Sequence, residues 1–552
     1  MRRLPLIPLV LALAVLAAWS AFAPAPAAAN GCALRFTQGT SGTAEDPILI
    51  PDRAALTTLA TSSSCYESAY VYRQTADIDL SGAAWTPIAT GGAFRGTYDG
   101  GGRRVTGLEV SVSGTNNGAG LFDQVVNGTI RDLVIVAPRV AASGQYGAAG
   151  ALAAVARLAT VERVQVEGGS VQGAWWTGGL LGQLCFASLS RGTSTATVTG
   201  EFAVGGLVGL ASSTCPTSAV GVGVNSPPPA TSTIADSHAT GAVTGAATVG
   251  GLAGQISAAT VERSFATGSA TASEGGAGGL VGSAFDATVL VDVYATGAVS
   301  AAQGGAGGLV GLTESDLVIT RSYATGRVTG SPEAGGLVGG DLVGCAGVGV
   351  TICSADVPVT QTAAATSFWD SATTGQSASH GGYGTAKSTA EMQALATYAA
   401  AGWPIARGFS STAGTTWGIC PSANGGYPFL QNRYAAATQP CAGTPGKPRK
   451  VRMTAGDGTV TVAWEAPAAD GGAPVASYTA TAQMQKATGK AAPSCTVTAA
   501  DTSCTITGLR NGRAYRVTLT AANVEGAGTP TARTVTPSRG LVVLSTRRSG
   551  LG

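Results

Sequence analysis

"GGAGGLVG" stands at Gly275–Gly282 and again, letter for letter, at Gly304–Gly311, 29 positions further on. Working outward, the same box returns as "GGLLG" at Gly178, "GGLVG" at Gly205, "GGLAG" at Gly250, and "GGLVG" at Gly278, Gly307 and Gly335. Two worn copies precede them, "AGLFD" at Ala119 and "AGALA" at Ala149. A second landmark follows about half a period later: "DSHATG" (Asp236–Gly241), "RSFATG" (Arg263–Gly268), "DVYATG" (Asp292–Gly297) and "RSYATG" (Arg321–Gly326). The step of 45 between Gly205 and Gly250 marks an insertion, and "SSTCPTSAVGVGVNSPPPAT" (Ser212–Thr231) has the composition of a protruding loop.

Self-similarity at such a period is the mark of units that cannot bury their apolar faces alone and must stack. The pieces between landmarks, such as "TVERSFA" and "LVITRSYA", are too short and glycine-punctuated for helices and suit strands. The expected architecture is all-β: a parallel β-helix of about eight coils of 28–30 residues. At the strand spacing of ~4.8 Å, eight coils make a body on the order of 40 Å long. Equivalent residues then stack on themselves. Leu252, Leu280, Leu309 and Leu337 are expected as an internal aliphatic column, and Phe265, Tyr294 and Tyr323 as an aromatic ladder. The paired glycines are expected to take backbone angles closed to other residues and to leave room at a corner.

The "GGLVG" box followed by a "SYATG" strand resembles the bacterial GLUG-motif repeat proteins. Upstream, "GTAEDPILIPDRAALTTLA" (Gly42–Ala60), "TADIDLSGAAWTPIA" (Thr75–Ala89) and "FRGTYDGGGRRVTGLEV" (Phe94–Val110) resemble that family's capping start. Downstream, "SFWDSATTGQSASHGGYGTAKSTAEMQALATYAAAGW" (Ser367–Trp403) and "GGYPFL" (Gly425–Leu430) are similar to its closing segment. The resemblance implies an extracellular, adhesin-like β-solenoid with no uniform biochemical activity.

Residues 1–29 carry Arg2 and Arg3, an apolar run from Leu4 to Phe22, and a small-x-small pattern at Ala27 and Ala29, which together read as a secretory signal peptide cleaved near Ala29. No later run reaches the ~18 uninterrupted apolar residues of a spanning helix. Loss of Arg2 and Arg3 leaves basic and acidic residues in balance, since the chain has 32 of one and 30 of the other. With no basic cluster, a nucleic-acid partner is not expected. Ten cysteines in an exported chain read as disulfides. They fall into sequence neighbours, Cys32 with Cys65, Cys185 with Cys215, Cys345 with Cys353, Cys420 with Cys441 and Cys495 with Cys504, and neighbour pairing is the simplest hypothesis. Zinc would need CxxC spacing or histidine partners, and neither occurs.

The expected organisation is a cap with the first coils (30–118), the repeats (119–345), a closing segment (346–441), a Pro/Gly/Lys linker "AGTPGKPRK" (442–450), a sandwich domain (451–537) and a tail (538–552). In 451–537, Trp464 in "TVTVAWEAP", Tyr478 in "VASYTATA", and Leu509 with Tyr515 in "ITGLRNGRAYRVTLTAANVEGAG" resemble a fibronectin type III domain. Tyr515 would be its corner tyrosine, tying back to the backbone. Cys495 and Cys504 are expected to staple neighbouring strands. There is no Arg-Gly-Asp and no sortase box.

Chemistry is sparse. His238 occupies the ladder position, and His380 lies in the closing-segment loop "SASHGGYG" without an evident partner. No G-x-S-x-G, HExxH or P-loop occurs. Asp77 and Asp79 share a strand face but belong to the cap, and Glu262, Asp292 and Asp316 read as scattered. No catalytic, cofactor or metal residue is assigned. Trp175 and Trp176 in "QGAWWTGGL" replace the small residues of sister repeats, so one of them should face outward as a stacking platform for a sugar ring. The sequence therefore points to a secreted or cell-surface protein that adheres to extracellular glycans or surface proteins without catalysis. A carbohydrate-active enzyme with two flanking acids and a structural stalk are the alternatives.

Overall fold

The computed structural model describes residues 31–539, apart from 115–117, 145–146, 214–230, 315, 331–332, 342–365, 409, 411, 434–440 and 485–491. The signal-peptide expectation, Cys215, Cys345 and Cys353 lie outside the described residues. Two compact units meet at Ser388/Thr389. That boundary falls inside the closing segment 346–441: residues 366–388 go with the repeats, and residues from 389 go with the sandwich.

The first unit is a parallel β-solenoid of about eight turns. One coil shows the rest. Thr260–Glu262 and Phe265–Ala266 lie in a first sheet, Ala270–Ala272 in a second, Ala277–Gly278 in a third and Val281–Phe285 in a fourth, after which Val289–Val291 opens the next coil. Stacking is parallel and in register: Val261 pairs Ile234 and Leu290, Ala270 pairs Val243 and Val299, and Ala253 pairs Val208 and Val281. The sheets have 18, eight, seven and eight strands.

Burial alternates with period two along the strands of the first and second sheets, while strands of the third and fourth are buried along nearly their whole length. One apolar cluster holds the inward columns of the first and fourth sheets, with Val261, Leu290, Ile256 and Leu280 all fully buried. A second, small cluster joins the second and third sheets through Val243, Val299, Val249 and Ala306. The leucine column is as expected: the Leu280 N–H donates to Leu309 O at 2.9 Å and the Leu309 N–H to Leu337 O at 2.9 Å.

The box glycines serve for space alone. None of Gly278, Gly279 and Gly282 has a positive φ, so the expectation of special backbone angles is corrected. A Cβ on Gly278 would sit 1.8 Å from Val281 O, one on Gly279 2.2 Å from Gly308 O, and one on Gly282 2.5 Å from Val249 N. All three obstacles are backbone. The chain doubles back at this box, and at Gly282 and Gly254 the backbone of the fourth sheet lies against the backbone of the third at Val249 and Val204. The second worn copy is also one residue later than read from the sequence. Gly150 pairs Gly178, and Ala153 pairs Leu181, so its box begins at Gly150.

At the start of the unit the Cys32–Cys65 disulfide ties the helix Ala33–Gln38 to the segment after helix Arg53–Thr61, whose N-cap is Asp52. Buried rings of Tyr72, Phe94, Tyr98 and Phe122 fill the first coils. At the other end Phe368–Asp370 pairs Tyr323–Ala324, and the Ser379 hydroxyl accepts from the N–H groups of Leu337 and Val338.

In the second unit a small subdomain with strands Ile405–Arg407, Trp417–Ile419 and Phe429–Leu430 precedes a β-sandwich of two sheets. Trp464 packs on Tyr478 with ring centroids 5.0 Å apart. The Tyr515 hydroxyl accepts from Arg510 N at 2.9 Å, as the corner-tyrosine expectation requires. Cys420–Cys441 and Cys495–Cys504 are bonded. The latter joins Ser494–Thr498 of one sheet to Ser503–Ile506 of the other, so it crosses the sandwich. The linker 442–450 is strapped down: Gly443 N donates to Gly471 O, Gly446 N to Ala469 O, and the Asn523 amide to Gly443 O.

Candidate ligand-binding surface

Trp175 lies in the bend after strand Ser170–Gly173, and Trp176 opens the next strand. Both are half-buried, and their rings touch edge to face at 5.6 Å. The expectation that one faces in and the other out is therefore corrected: Trp175 precedes the strand, where alternation does not apply. A third ring, missed in the sequence, completes the group. Half-buried Phe202 lies tilted against Trp175 at 5.0 Å, one coil on. Its 27-residue offset from Trp175 was the available signal. Neighbouring coils turn the same bend with Gly147 and Ala247, which hydrogen bonds place directly beside Trp175 and Phe202.

Before that bend runs the outer face of the second sheet. One outward column is Gln172, Thr199, Thr244, Thr271 and Ser300; the other is Ser170, Thr197, Ala242, Ser269 and Ala298. Neither column holds an ionisable group over these five coils. Charges appear only at the ends, as exposed Glu109 and Arg139 before and Arg327 after.

The first sheet is the opposite case. Midway along its first-sheet stretch, each of seven successive coils turns through a left-handed residue: Asp132, Arg163, Arg191, Asp236, Arg263, Asp292 and Arg321, with φ from 44° to 55°. Six of these side chains form three bidentate pairs between neighbouring coils, while Arg191 approaches Glu162 at 3.7 Å. Arg263 Nε and Nη2 lie 2.8 and 3.0 Å from the Asp236 oxygens, Arg321 pairs Asp292 at 2.8 and 2.6 Å, and Arg163 pairs Asp132. These contacts hold the Asp132 carboxyl below its ordinary range and push the Arg263 and Arg321 guanidinium groups up. Asp292 is thus stacked with Arg321 rather than scattered, and Glu262 also contacts Arg263 at 2.7 Å. The next residue turns inward, and as Ser264 or Ser322 its hydroxyl accepts the N–H of the preceding coil.

His238 stacks on Phe265 at 4.6 Å, Phe265 on Tyr294 at 4.7 Å and Tyr294 on Tyr323 at 5.1 Å, all within 4° of parallel. The ladder alternates with the interior alanines Ala266, Ala295 and Ala324, so it occupies the strands' other face. His380 has a partner, Asp341, at 3.5 Å. Asp77 accepts from Arg104 N, and Asp79 from Ser81 N and its hydroxyl, contacts that hold the Asp79 carboxyl below its ordinary range. Asp123, at the glycine position of the first worn box, is buried, and burial pushes its carboxyl up to about 6. Glu314 is also raised, by burial and by the nearby Asp286. Among the described residues no group of three His, Cys, Asp or Glu could hold a metal, and no helix is long and apolar enough to cross a membrane. Cys185 is disulfide-bonded.

Residues 446–537 match the fibronectin type III domain model. A stretch of 193 residues is 31% identical to halomucin of Haloquadratum walsbyi (strain DSM 16790 / HBSQ001), covering 33% of this chain and 2% of halomucin. The chain therefore spans a very small part of the relative it matches. Among solved structures, domains A168–A170 of titin are similar at 21% identity over 18% of this chain and 34% of that one, with a TM-score of 0.16. The FN5 domain of Drosophila Lar is similar at 23% identity over 18% of this chain and all of that domain, with a TM-score of 0.15. The class is thus defined: a β-solenoid of about eight turns followed by a fibronectin type III domain. Disulfides and such a domain are features of extracellular proteins.

Proposed function

We propose that this chain is an exported, adhesin-like protein of the GLUG-repeat kind, whose solenoid presents a rigid repeated surface to extracellular glycans or surface proteins and catalyses nothing. The observation that carries this reading is the register. Each outward position recurs coil after coil at the strand spacing of ~4.8 Å, so weak contacts to a repeating partner add through effective concentration. The acids support a non-catalytic role: Asp77 and Asp79 are engaged by backbone, and Asp132, Asp236 and Asp292 by arginine. A glycan and matrix-protein array probed with residues 30–552, read for retention and for shortened sugars, tests the reading. Retention without cleavage is expected. Release of shortened sugars would establish an enzyme instead, and silence on both counts would favour a stalk.

A further inference from the structure

We infer that the corner formed by Trp175, Trp176 and Phe202, with the adjoining outer face of the second sheet, is the ligand site, and that its ligand is an uncharged polysaccharide lying along the rod. This rests on the binding-protein reading above and adds a site and a chemistry to it.

Three observations converge. The first is bulk that sister coils do without. Sister coils close the same bend with Gly147 and Ala247, so the bend itself can be turned without a large side chain, yet three partly buried rings are gathered in two consecutive coils. The exposed parts of such rings offer flat apolar faces on which the C–H face of a pyranose stacks. The second is charge. The first sheet places an ion pair or a charged residue at the corner of every coil, whereas the second sheet's outer face has none from Ser170 to Ser300. An anionic polymer would be matched by arginine or lysine and a cationic one by carboxylates. Here the groups on offer are the hydroxyls of Thr199, Thr244, Thr271 and Ser300 and the amide of Gln172, which both donate and accept, as sugar hydroxyls do. The third is continuity. Trp175 follows Gln172 by three residues and Phe202 follows Thr199 by three, so the rings stand within about 10 Å of chain from the uncharged face. Glu201, beside Phe202, and Glu274, stacked at the same bend two coils on, lie next to this face and serve as further acceptors for sugar hydroxyls.

The test is affinity electrophoresis of the full chain through gels containing hydroxyethylcellulose, galactomannan or dextran, with polygalacturonate as the acidic control. Retardation is expected in at least one uncharged gel and not in polygalacturonate. Trp175→Ala should weaken it about tenfold, the loss that follows from removing one aromatic contact of about 1.4 kcal/mol. Trp175→Tyr should retain most of it. The exposed double substitution Thr244→Lys with Thr271→Lys, which leaves the core untouched, should weaken it as well and keeps the test decisive if Trp175→Ala fails to fold. Retardation that no variant alters overturns the site. Retention by polygalacturonate or by matrix proteins alone overturns the uncharged-polysaccharide ligand but leaves the binding-protein reading standing. No retention in any gel overturns the inference, and a silent array as well overturns both.

Discussion

Gly278 and Leu280 do opposite jobs within one corner, and the difference is measured in ångströms. The leucine fills a column of its own kind in the interior, so Leu280→Ala should cost about 2–5 kcal/mol through lost transfer energy and a cavity. The glycine leaves space empty. In Gly278→Ala the new methyl would meet the Val281 carbonyl and Gly311 N, both backbone, and the expected loss is about 1–3 kcal/mol or more, read as a fall in the denaturant midpoint. Asp123 shows what happens when the last box glycine is replaced. Its carboxyl titrates at about 6 in the folded chain against an ordinary 3.8, so the folded state holds the proton more tightly. Stability is therefore full below pH ~4, falls as pH rises to ~6, and stays lower above that, by on the order of 2–3 kcal/mol. Asp123→Asn should flatten that slope, and melting temperatures at pH 4 and pH 7.5 would show it. An unchanged slope would mean that the carboxyl finds water in solution.

At the scale of the element, the first-sheet corner sets two demands on one residue. It must accept a left-handed backbone, which disfavours every side chain and β-branched ones most, and it must pair with the coil beside it. Arginine and aspartate at this corner meet the second demand at some cost to the first. Arg263→Val should therefore be destabilising on both counts, while Arg263→Gly loses the ion pair but relieves the backbone, and ends within about 1 kcal/mol of the parent. Thermal melts of the two variants separate the contributions. Equal losses would sink the backbone argument. The alternation was legible in "DSHATG", "RSFATG", "DVYATG" and "RSYATG", whose first letters run D, R, D, R, but a pairing across 27 or 29 residues acquires meaning only once the coils are stacked. The two tryptophans carry the same lesson. Strand alternation was applied one residue too early, because a bend boundary depends on backbone hydrogen bonds that composition does not reveal.

At the scale of the molecule, "AGTPGKPRK" has the composition of a free linker, yet it is held along the sandwich by Asn523, whose amide donates to Gly443 O and Asp470 O. Glu525 anchors the preceding subdomain, its carboxylate accepting from Ser422 N at 2.9 Å. Asn523→Ala leaves those carbonyls unpaired at a cost of about 1–3 kcal/mol, so hydrogen exchange at the Gly443 and Gly446 amides should become several-fold faster in the variant than in the native chain. Equal exchange rates would show that the strap is not held by this residue. By itself the sequence determined the all-β class, the coil number, the stacked leucine and aromatic columns and the fibronectin type III domain, because each is written as a periodicity or a local signature that stacking preserves. Only the tertiary structure decided which obstacles the glycines avoid, which charges pair, that Phe202 joins Trp175, and that the linker is bound. Those depend on contacts between residues a full coil or a whole sheet apart, whose distances no local pattern encodes.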